Sequence, residues 1–296
     1  MNESRNRTTS GATHEASWEW DPSLYGGAAA HYARGRVAYP PELIDLLVTE
    51  LGLDGHDRLL DLGCGPGSLT VPLAAHLAEV VAVDADGEMV AEGARQAAVA
   101  GVGNISWLHA RAEDLPVDLG SFGVATLAQS FHWMSRERVA GLLHTLLSPR
   151  GVIAHVHATT HQGVDGASTL DNPRAPWGQI DALVASFLGA SRRAGRGQRQ
   201  IETIGEQERR EADAAVFQAA GFTGPTTFEV PARVVDRSTD DVVSSVLSLS
   251  YAAPHLFGDR LDEFEQQLRE VLRRASPTGE FSEEMREITV HLWQHR

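Results

Sequence analysis

The stretch Leu59–Leu69, LLDLGCGPGSL, runs an apolar strand-like segment straight into a turn with glycine at every second position. A glycine turn between a first strand and its helix is where doubly wound sheets bind nucleotides, because glycine lets backbone approach the ligand closely. The dinucleotide fingerprint requires G-x-G-x-x-G. Here Gly63, Gly65 and Gly67 lie two apart and Ser68 takes the sixth place, a departure from the pyrophosphate-binding form that suits a ligand without phosphates. Asp84 ends the next apolar run, about 20 residues further on, where an acidic residue accepts hydrogen bonds from ribose hydroxyls. One G-x-G alone is as often an ordinary tight turn, and one acid at a strand end is often a helix cap. Strand, D-x-G-x-G-x-G, helix, strand and terminal acid together are far more specific.

The alternation extends in both directions from this turn. Leu43, Ile44, Leu47 and Leu51 share one face, predicting a helix over Pro41–Leu51 that Gly52 ends. Strands are expected at Arg58–Leu62, Val80–Asp84, Ile105–Ala110, Gly123–Ala128 and Gly151–Val156, the last opened by the turn Ser148–Gly151. Helices are expected from the glycine turn through Leu77, over Glu88–Ala100 and over Arg136–Leu147. Strands alternating with helices imply a parallel sheet covered on both faces, and strands this apolar belong in its middle. Beyond Val156 the pattern loosens into a loop, His157–Trp177. Helices are expected at Gln179–Leu188, Glu211–Ala220, Asp240–Leu249 and Asp259–Arg274. A strand with a bend at Pro231 is expected over Thr227–Val235, and a final strand over Ile288–Trp293. Arg192–Arg199, RRAGRGQR, reads as a basic loop whose arginines either face solvent or hold a carboxylate or phosphate of a substrate.

Composition narrows the classes. A net charge of −15 opposes a nucleic-acid partner. No apolar run reaches the roughly 18–20 residues of a membrane span. The polar N-terminus lacks a signal-peptide core, and residues 1–20 are expected to be a disordered tail. Cys64 is the one cysteine, which removes disulfides and cysteine-based zinc sites and fits a cytoplasmic protein. All 25 basic residues are arginine, which removes Walker-loop and Schiff-base lysines.

VVAVDADGEMV (Val80–Val90), HARAEDLP (His109–Pro116), ATLAQSFHW (Ala125–Trp133) and LSPRGVI (Leu147–Ile153) follow the glycine turn in the order found in class I S-adenosylmethionine-dependent methyltransferases. The chain resembles the group with a methyltransferase-11-like core, which includes bacterial small-molecule and trans-aconitate methyltransferase-like enzymes. The likeness covers about Tyr32–Val156. It implies a Rossmann-like α/β fold: a mostly parallel seven-stranded sheet with helices on both faces and a helical substrate cover. The division implied is a cofactor-binding core with an N-terminal lid over 21–160. The remainder, 161–296, would complete the sheet and carry cover insertions at about 163–210 and 238–277.

By the same resemblance Asp61, Gly63, Cys64 and Gly65 line the methionine part of S-adenosylmethionine, Asp84 holds its ribose, and Ala85 and Met89 flank its adenine. Ala112 and Glu113 contact the adenine edge, and Gln129 and Ser130 face the sulfonium. Where many relatives carry aspartate two positions before the glutamate, this chain has Arg111. YARGRVAYP (Tyr32–Pro40) resembles a segment that folds over the cofactor, so Tyr32 and Arg36 either close the site or only anchor the N-terminal helix.

Methyl transfer from a sulfonium is an in-line displacement on an activated carbon, and alignment supplies much of the catalysis. An alcohol, phenol or amine acceptor must also lose a proton. His132, just past the fourth strand, is the candidate base, or else packs beside the cofactor. Trp133 would wall a substrate pocket with His157 and His161. Three histidines at 155, 157 and 161 can suggest a metal, but no carboxylate cluster accompanies them, and a metal-independent reaction is expected. Gln129–His132 is not the N/D/S-P-P-Y/F motif of amino-directed DNA and protein methyltransferases. The expected activity is methylation of a small-molecule acceptor, in secondary metabolism, with S-adenosylhomocysteine as product. A nicotinamide-dependent oxidoreductase and a non-catalytic S-adenosylmethionine-binding protein are the alternatives. Acceptor atom and oligomeric state stay open.

Overall fold

The computed structural model describes residues 21–166, 169–189, 192–194, 197–199 and 206–295; the expected N-terminal tail, 1–20, lies outside them. Two short helices, α1 (Ala29–Gly35) and α2 (Pro41–Leu51), precede the sheet. Gly52 takes a left-handed conformation (φ 64°) and ends α2. Then follow β1 (Arg58–Leu62), α3 (Thr70–Ala74), β2 (Glu79–Asp84), α4 (Gly87–Val99), β3 (Ile105–His109), β4 (Phe122–Ala128), α5 (Arg136–Leu146) and β5 (Leu147–His157). Beyond them come α6 (Trp177–Leu188), β6 (Arg192–Ala194), β7 (Gly197–Arg199), α7 (Glu206–Ala219), β8 (Phe222–Val230) and β9 (Arg233–Ser238). The described chain closes with α8 (Thr239–Leu247), α9 (Leu261–Ala275), β10 (Glu280–Met285) and β11 (Ile288–His295).

Seven strands form one sheet in the order β3-β2-β1-β4-β5-β11-β8. The pairs β3-β2, β2-β1, β1-β4 and β4-β5 are parallel, while β11 runs antiparallel between β5 and β8. This is the mostly parallel Rossmann-like α/β architecture expected. The strand order reverses between β1 and β4, and ligands in such sheets bind at that switch, above the strands' carboxyl ends.

Alternation along each strand builds two cores. Leu60, Leu62, Ala125, Leu127 and Ile153 pack with Val139, Leu143 and Phe217 under α5 and α7. Leu59, Val80, Val124, Ala154 and Val290 pack with Leu43, Leu47 and Leu73 under α2 and α3. A third cluster, holding Ile180, Val184, Val243, Val246, Phe264 and Leu268, belongs to α6, α8 and α9. Helix α8 packs along α1, and Arg36 next to α1 donates from Nε to Ser248 Oγ at 2.7 Å. Arg237 and Glu283, both buried, pair at 2.7 Å. Arg237 also donates to the carbonyls of Gly35 (2.6 Å) and His161 (2.9 Å), tying β9 and β10 to α1 and to the segment after β5.

Three expectations need correction, and one strand was not expected. The helix after the glycine turn ends at Ala74, not Leu77. Thr227–Val235 is two strands in different sheets: Pro231 has no N–H to give a ladder, so β8 stops before it and β9 pairs with β10 instead. Within RRAGRGQR, Arg192–Ala194 and Gly197–Arg199 pair as antiparallel strands where a loop was expected. β10, EFSEEM, is a strand that sequence periodicity does not announce, because its Ser282 and Glu283 are buried polar residues held by partners distant in sequence.

Candidate active site

A cavity of about 680 Å³ opens at the switch between β1 and β4. Its wall contains Tyr32, Gly63, Gly65, Asp84, Ala85, Met89, Ala112, Glu113, Gln129, Ser130 and Trp133, all singled out by the sequence reading.

The glycine turn is built from below. Asp61, at 2% exposure, does not reach the cavity. Its carboxylate accepts from Thr70 Oγ1 (2.5 Å) and Thr126 Oγ1 (2.8 Å), so it fastens the start of α3 and the middle of β4 to β1. Burial pushes this carboxyl up, against the two hydroxyls that pull it down. Cys64 is also buried behind the wall rather than on it, and burial raises its thiol well above the ordinary value. The amides of Gly63 and Cys64 both donate to Val83 carbonyl oxygen, at 2.8 and 3.0 Å, pinning the turn to the end of β2. Gly63 has φ +67°, and a Cβ there would stand 2.4 Å from Ser130 Cβ.

Asp84 closes the frame. Its Oδ2 accepts from Gly65 N at 2.8 Å and its Oδ1 from Asp86 N at 2.9 Å. Asp86 in turn caps α4, accepting from Glu88 N and Met89 N. Burial lifts Asp84 from 3.8 to about 6, opposed by those two amide bonds. A desolvated carboxylate on a cavity wall, short of donors, is what the hydroxyls of a ribose would complete. Gly65, with nothing within 4 Å of where its Cβ would point, leaves the wall open to a ligand. Turn, carboxylate and cavity therefore fit a nucleoside.

Several residues act differently from the reading. Arg36 does not line the cavity; its guanidinium lies 4.5 Å from the Tyr32 ring centroid and bonds Ser248, so it braces Tyr32 from behind. Glu113 lines the wall, but its carboxylate accepts from Ser135 N at 2.7 Å at the entry to α5. His132 lies in the 3₁₀ turn Phe131–Trp133, exposed and outside the wall, with its ring 5.0 Å from that of Trp133. His157 and His161 are likewise outside it. His157 ends β5, and His161 gives its carbonyl to Arg237 and to Ser245. Burial pushes the His161 imidazole down to about 3, with Arg36 and Arg237 adding to it. Among the described residues no cluster of His, Cys, Asp or Glu is arranged to hold a metal ion.

The sequence reading missed Tyr25, Val83, Ala110, Ala128 and Met134 on the wall, and gave Arg111 no place there. Tyr25 stands edge-on to Trp133 at 5.9 Å, and burial raises its hydroxyl. Val83, Ala110 and Ala128 were legible as the ends of β2, β3 and β4. Tyr25 carries no comparable signal, since it arrives from a turn before α1.

A protein-family model described as a methyltransferase domain matches residues 59–151, which hold β1 to the start of β5, the glycine turn and Asp84. Residues 59–151 are a methyltransferase domain. An uncharacterized methyltransferase of Mycobacterium tuberculosis is 37% identical over 142 residues, 47% of this chain and 54% of the relative. One of Schizosaccharomyces pombe is 28% identical over 126 residues, 42% of this chain and 48% of the relative. The chain thus spans about half the length of these relatives. A solved structure from Anaeromyxobacter dehalogenans, a candidate type II methyltransferase, aligns over 88% of this chain and 96% of its own at TM-score 0.50 and 22% identity, a likeness of fold. Among the described residues no helix is long and apolar enough to cross a membrane. The methyltransferase domain contributes most of the cavity wall, and Tyr25 and Tyr32 close it from the N-terminal side.

Proposed function

We propose that this chain transfers a methyl group from S-adenosylmethionine to a small-molecule acceptor, without a metal, in the cytoplasm. The observation that carries the reading is the Asp84 carboxylate fixed by Gly65 N and Asp86 N on the wall of a cavity at the β1/β4 switch. When bound there, the cofactor supplies an electrophilic methyl group on a sulfonium. Asp84 would hold the ribose, Ala85 and Met89 the faces of the adenine, and Ala112 its edge. Gly63, Gly65, Gln129 and Ser130 would surround the methionine part, with Asp61 and Cys64 supporting the turn from beneath. Trp133 and Tyr25 exclude water from the mouth, and Tyr32, braced by Arg36, closes it. His132, beside Trp133, would take the proton of a hydroxyl or amine acceptor. A net charge of −15 favours a small acceptor over a nucleic acid. The helices α6, α8 and α9 would serve as the substrate cover.

Titration of the protein with S-adenosylmethionine and with NAD tests the reading directly. Binding of the first alone supports it, and preference for NAD overturns it. A screen of candidate acceptors for a one-methyl gain in mass then separates an enzyme from a cofactor-binding protein without activity.

Asp84 makes two predictions. Asp84→Ala should weaken S-adenosylmethionine binding about tenfold to a hundredfold, the worth of charge-assisted hydrogen bonds of about 1.5–3 kcal/mol. Unchanged affinity in calorimetry would show that Asp84 is not the ribose partner. The second concerns pH. Because burial raises Asp84 from 3.8 to about 6, the folded protein holds this proton more tightly than the unfolded chain. That contribution to folding is full below the lower value and is lost as pH rises through the upper one. Ribose hydroxyls donate to the ionised form, so cofactor affinity should be flat above pH about 7 and fall below about 6, by up to tenfold per pH unit. Asp84→Asn should abolish that limb; a limb that survives belongs to another group.

A further inference from the structure

Tyr25 and Trp133 meet on the cavity wall with 5.9 Å between ring centroids and their planes 74° apart, so they form two sides of a corner. Each is fixed to a different part of the site. Trp133 N donates to Ser130 carbonyl oxygen at 2.9 Å, and Ser130 Cβ faces Gly63, at the end of the wall given to the methionine part. Tyr25 is held toward the other end. Gly27, two residues on, donates from N to Glu88 Oε2 at 2.9 Å, which moors this turn on α4 beside Asp86. Burial raises the Tyr25 hydroxyl first and Tyr32 next, and Asp84 and Asp86 add to this against Arg36. The pair therefore spans the wall from the Asp84 side to the Ser130 side.

The connectivity of the cofactor decides what lies along that span. The sulfur of S-adenosylmethionine is bonded to the ribose on one side and to the methionine chain on the other. With Asp84 at the ribose and Gly63 and Ser130 at the methionine part, the sulfonium falls where the two rings are. The charge around it is negative. Asp61 and Asp84 both act on Cys64 in the glycine turn, adding to burial in raising its thiol. The arginines nearby are occupied: Arg36 donates to Ser248 Oγ and to its carbonyl oxygen, and Arg111 Nε lies 3.6 Å from the Glu113 carboxylate. Aromatic faces carry partial negative charge and attract a cation most strongly where water is excluded, whereas a neutral thioether gains less from ring or carboxylate. We propose that Tyr25 and Trp133 form an aromatic corner that selects a cationic centre over a neutral sulfur, so that S-adenosylmethionine binds more tightly than S-adenosylhomocysteine. The assignment rests on the methyl-transfer reading. As the acceptor's lone pair forms its bond to the methyl carbon, the C–S bonding pair stays on sulfur, the sulfonium becomes a thioether, and the corner loosens its hold on the product.

Calorimetric titration of the full chain with S-adenosylmethionine, S-adenosylhomocysteine and sinefungin, whose ammonium group stands in place of the S-methyl group, tests this. Both cations are expected to bind at least about tenfold more tightly than the thioether. In Tyr25→Leu and in Trp133→Leu that ratio should shrink about threefold or more, while Tyr25→Phe, which keeps the ring face and loses the hydroxyl, should preserve it. Thermal melts establish which variants fold, and Tyr25, partly exposed on a turn, is the safer site. The corner is overturned if the wild type binds S-adenosylhomocysteine as tightly as S-adenosylmethionine, or if sinefungin binds no better than the thioether. It is also overturned if the ratio is unchanged in a folded Tyr25→Leu, or is lost in Tyr25→Phe, which would assign the preference to the hydroxyl. Binding of all three compounds without preference strikes the corner alone. Failure of all three to bind strikes the methyl-transfer reading and the corner with it.

Discussion

Gly63→Ala should abolish useful cofactor binding, lowering S-adenosylmethionine affinity more than about a hundredfold. Two costs combine. The left-handed conformation at φ +67° costs an L-residue roughly 1–2 kcal/mol. The new Cβ would also stand 2.4 Å from Ser130 Cβ and 3.1 Å from Met134 Cε. Ser130 cannot simply withdraw, because its Oγ donates to Leu62 carbonyl oxygen at 2.6 Å. The remaining escape is to shift the turn, which breaks the amide bonds to Val83 and displaces Gly65 from Asp84. Forced overpacking of this kind costs about 1–3 kcal/mol, and about 1.4 kcal/mol is tenfold in affinity. Gly65→Ala is the control: φ is +54°, so the strain is similar, but nothing lies within 4 Å of its Cβ. It should melt closer to the wild type than Gly63→Ala does. Calorimetry and thermal melts on the two variants check this. Gly63→Ala binding within about threefold of wild type would mean that the turn is not the cofactor's wall.

That turn was legible because its constraints are local. Glycine at 63, 65 and 67 is demanded by backbone conformation, and the acid at 84 by its place at a strand end. β1 to β5 announced themselves through unbroken apolar runs that only a sheet covered on both faces tolerates. What the sequence concealed depends on contacts distant in the chain. Asp61 looks like a ligand residue within D-x-G-x-G, yet its carboxylate is consumed by Thr70 and Thr126, which no spacing rule connects to it. Arg36 looks like a partner for an anion, yet Ser248, 212 residues on, takes its Nε. β9 and β10 are stabilised by the buried Arg237–Glu283 pair, so their inward faces read as polar and escape a search for apolar alternation.

The histidines show the same limit from the other side. Positions 155 and 157 share a face by strand periodicity alone, but the register of β11 is what sets His291 opposite His155. In sequence, His291 is merely one polar residue in a terminal strand. The antiparallel insertion of β11 between β5 and β8 thus carries a distant imidazole to within 4.9 Å, ring to ring, of His157 at the carboxyl end of β5.

For His132→Ala the methylation rate should fall about a hundredfold to ten-thousandfold, the usual worth of a positioned base. S-adenosylmethionine affinity should hardly change, because the ring stands outside the cavity wall while Ser130 and Trp133 on either side of its turn line it. Truncation removes an exposed side chain, and Phe131, buried at 1% exposure and stacked 4.7 Å from Phe217, keeps the turn in place. The loss should therefore appear in turnover with folding intact. Two variants distinguish chemistry from shape. His132→Asn preserves much of the ring's volume and one hydrogen-bonding edge but accepts no proton near neutral pH, so it should be as slow as His132→Ala if the imidazole is the base. Trp133→Phe keeps the wall apolar and should cost far less turnover than either. If His132→Asn retains most of the wild-type rate, the imidazole only shapes the approach to the cavity, and the acceptor either loses its proton to another group or, as a carbon or sulfur nucleophile, needs no histidine base.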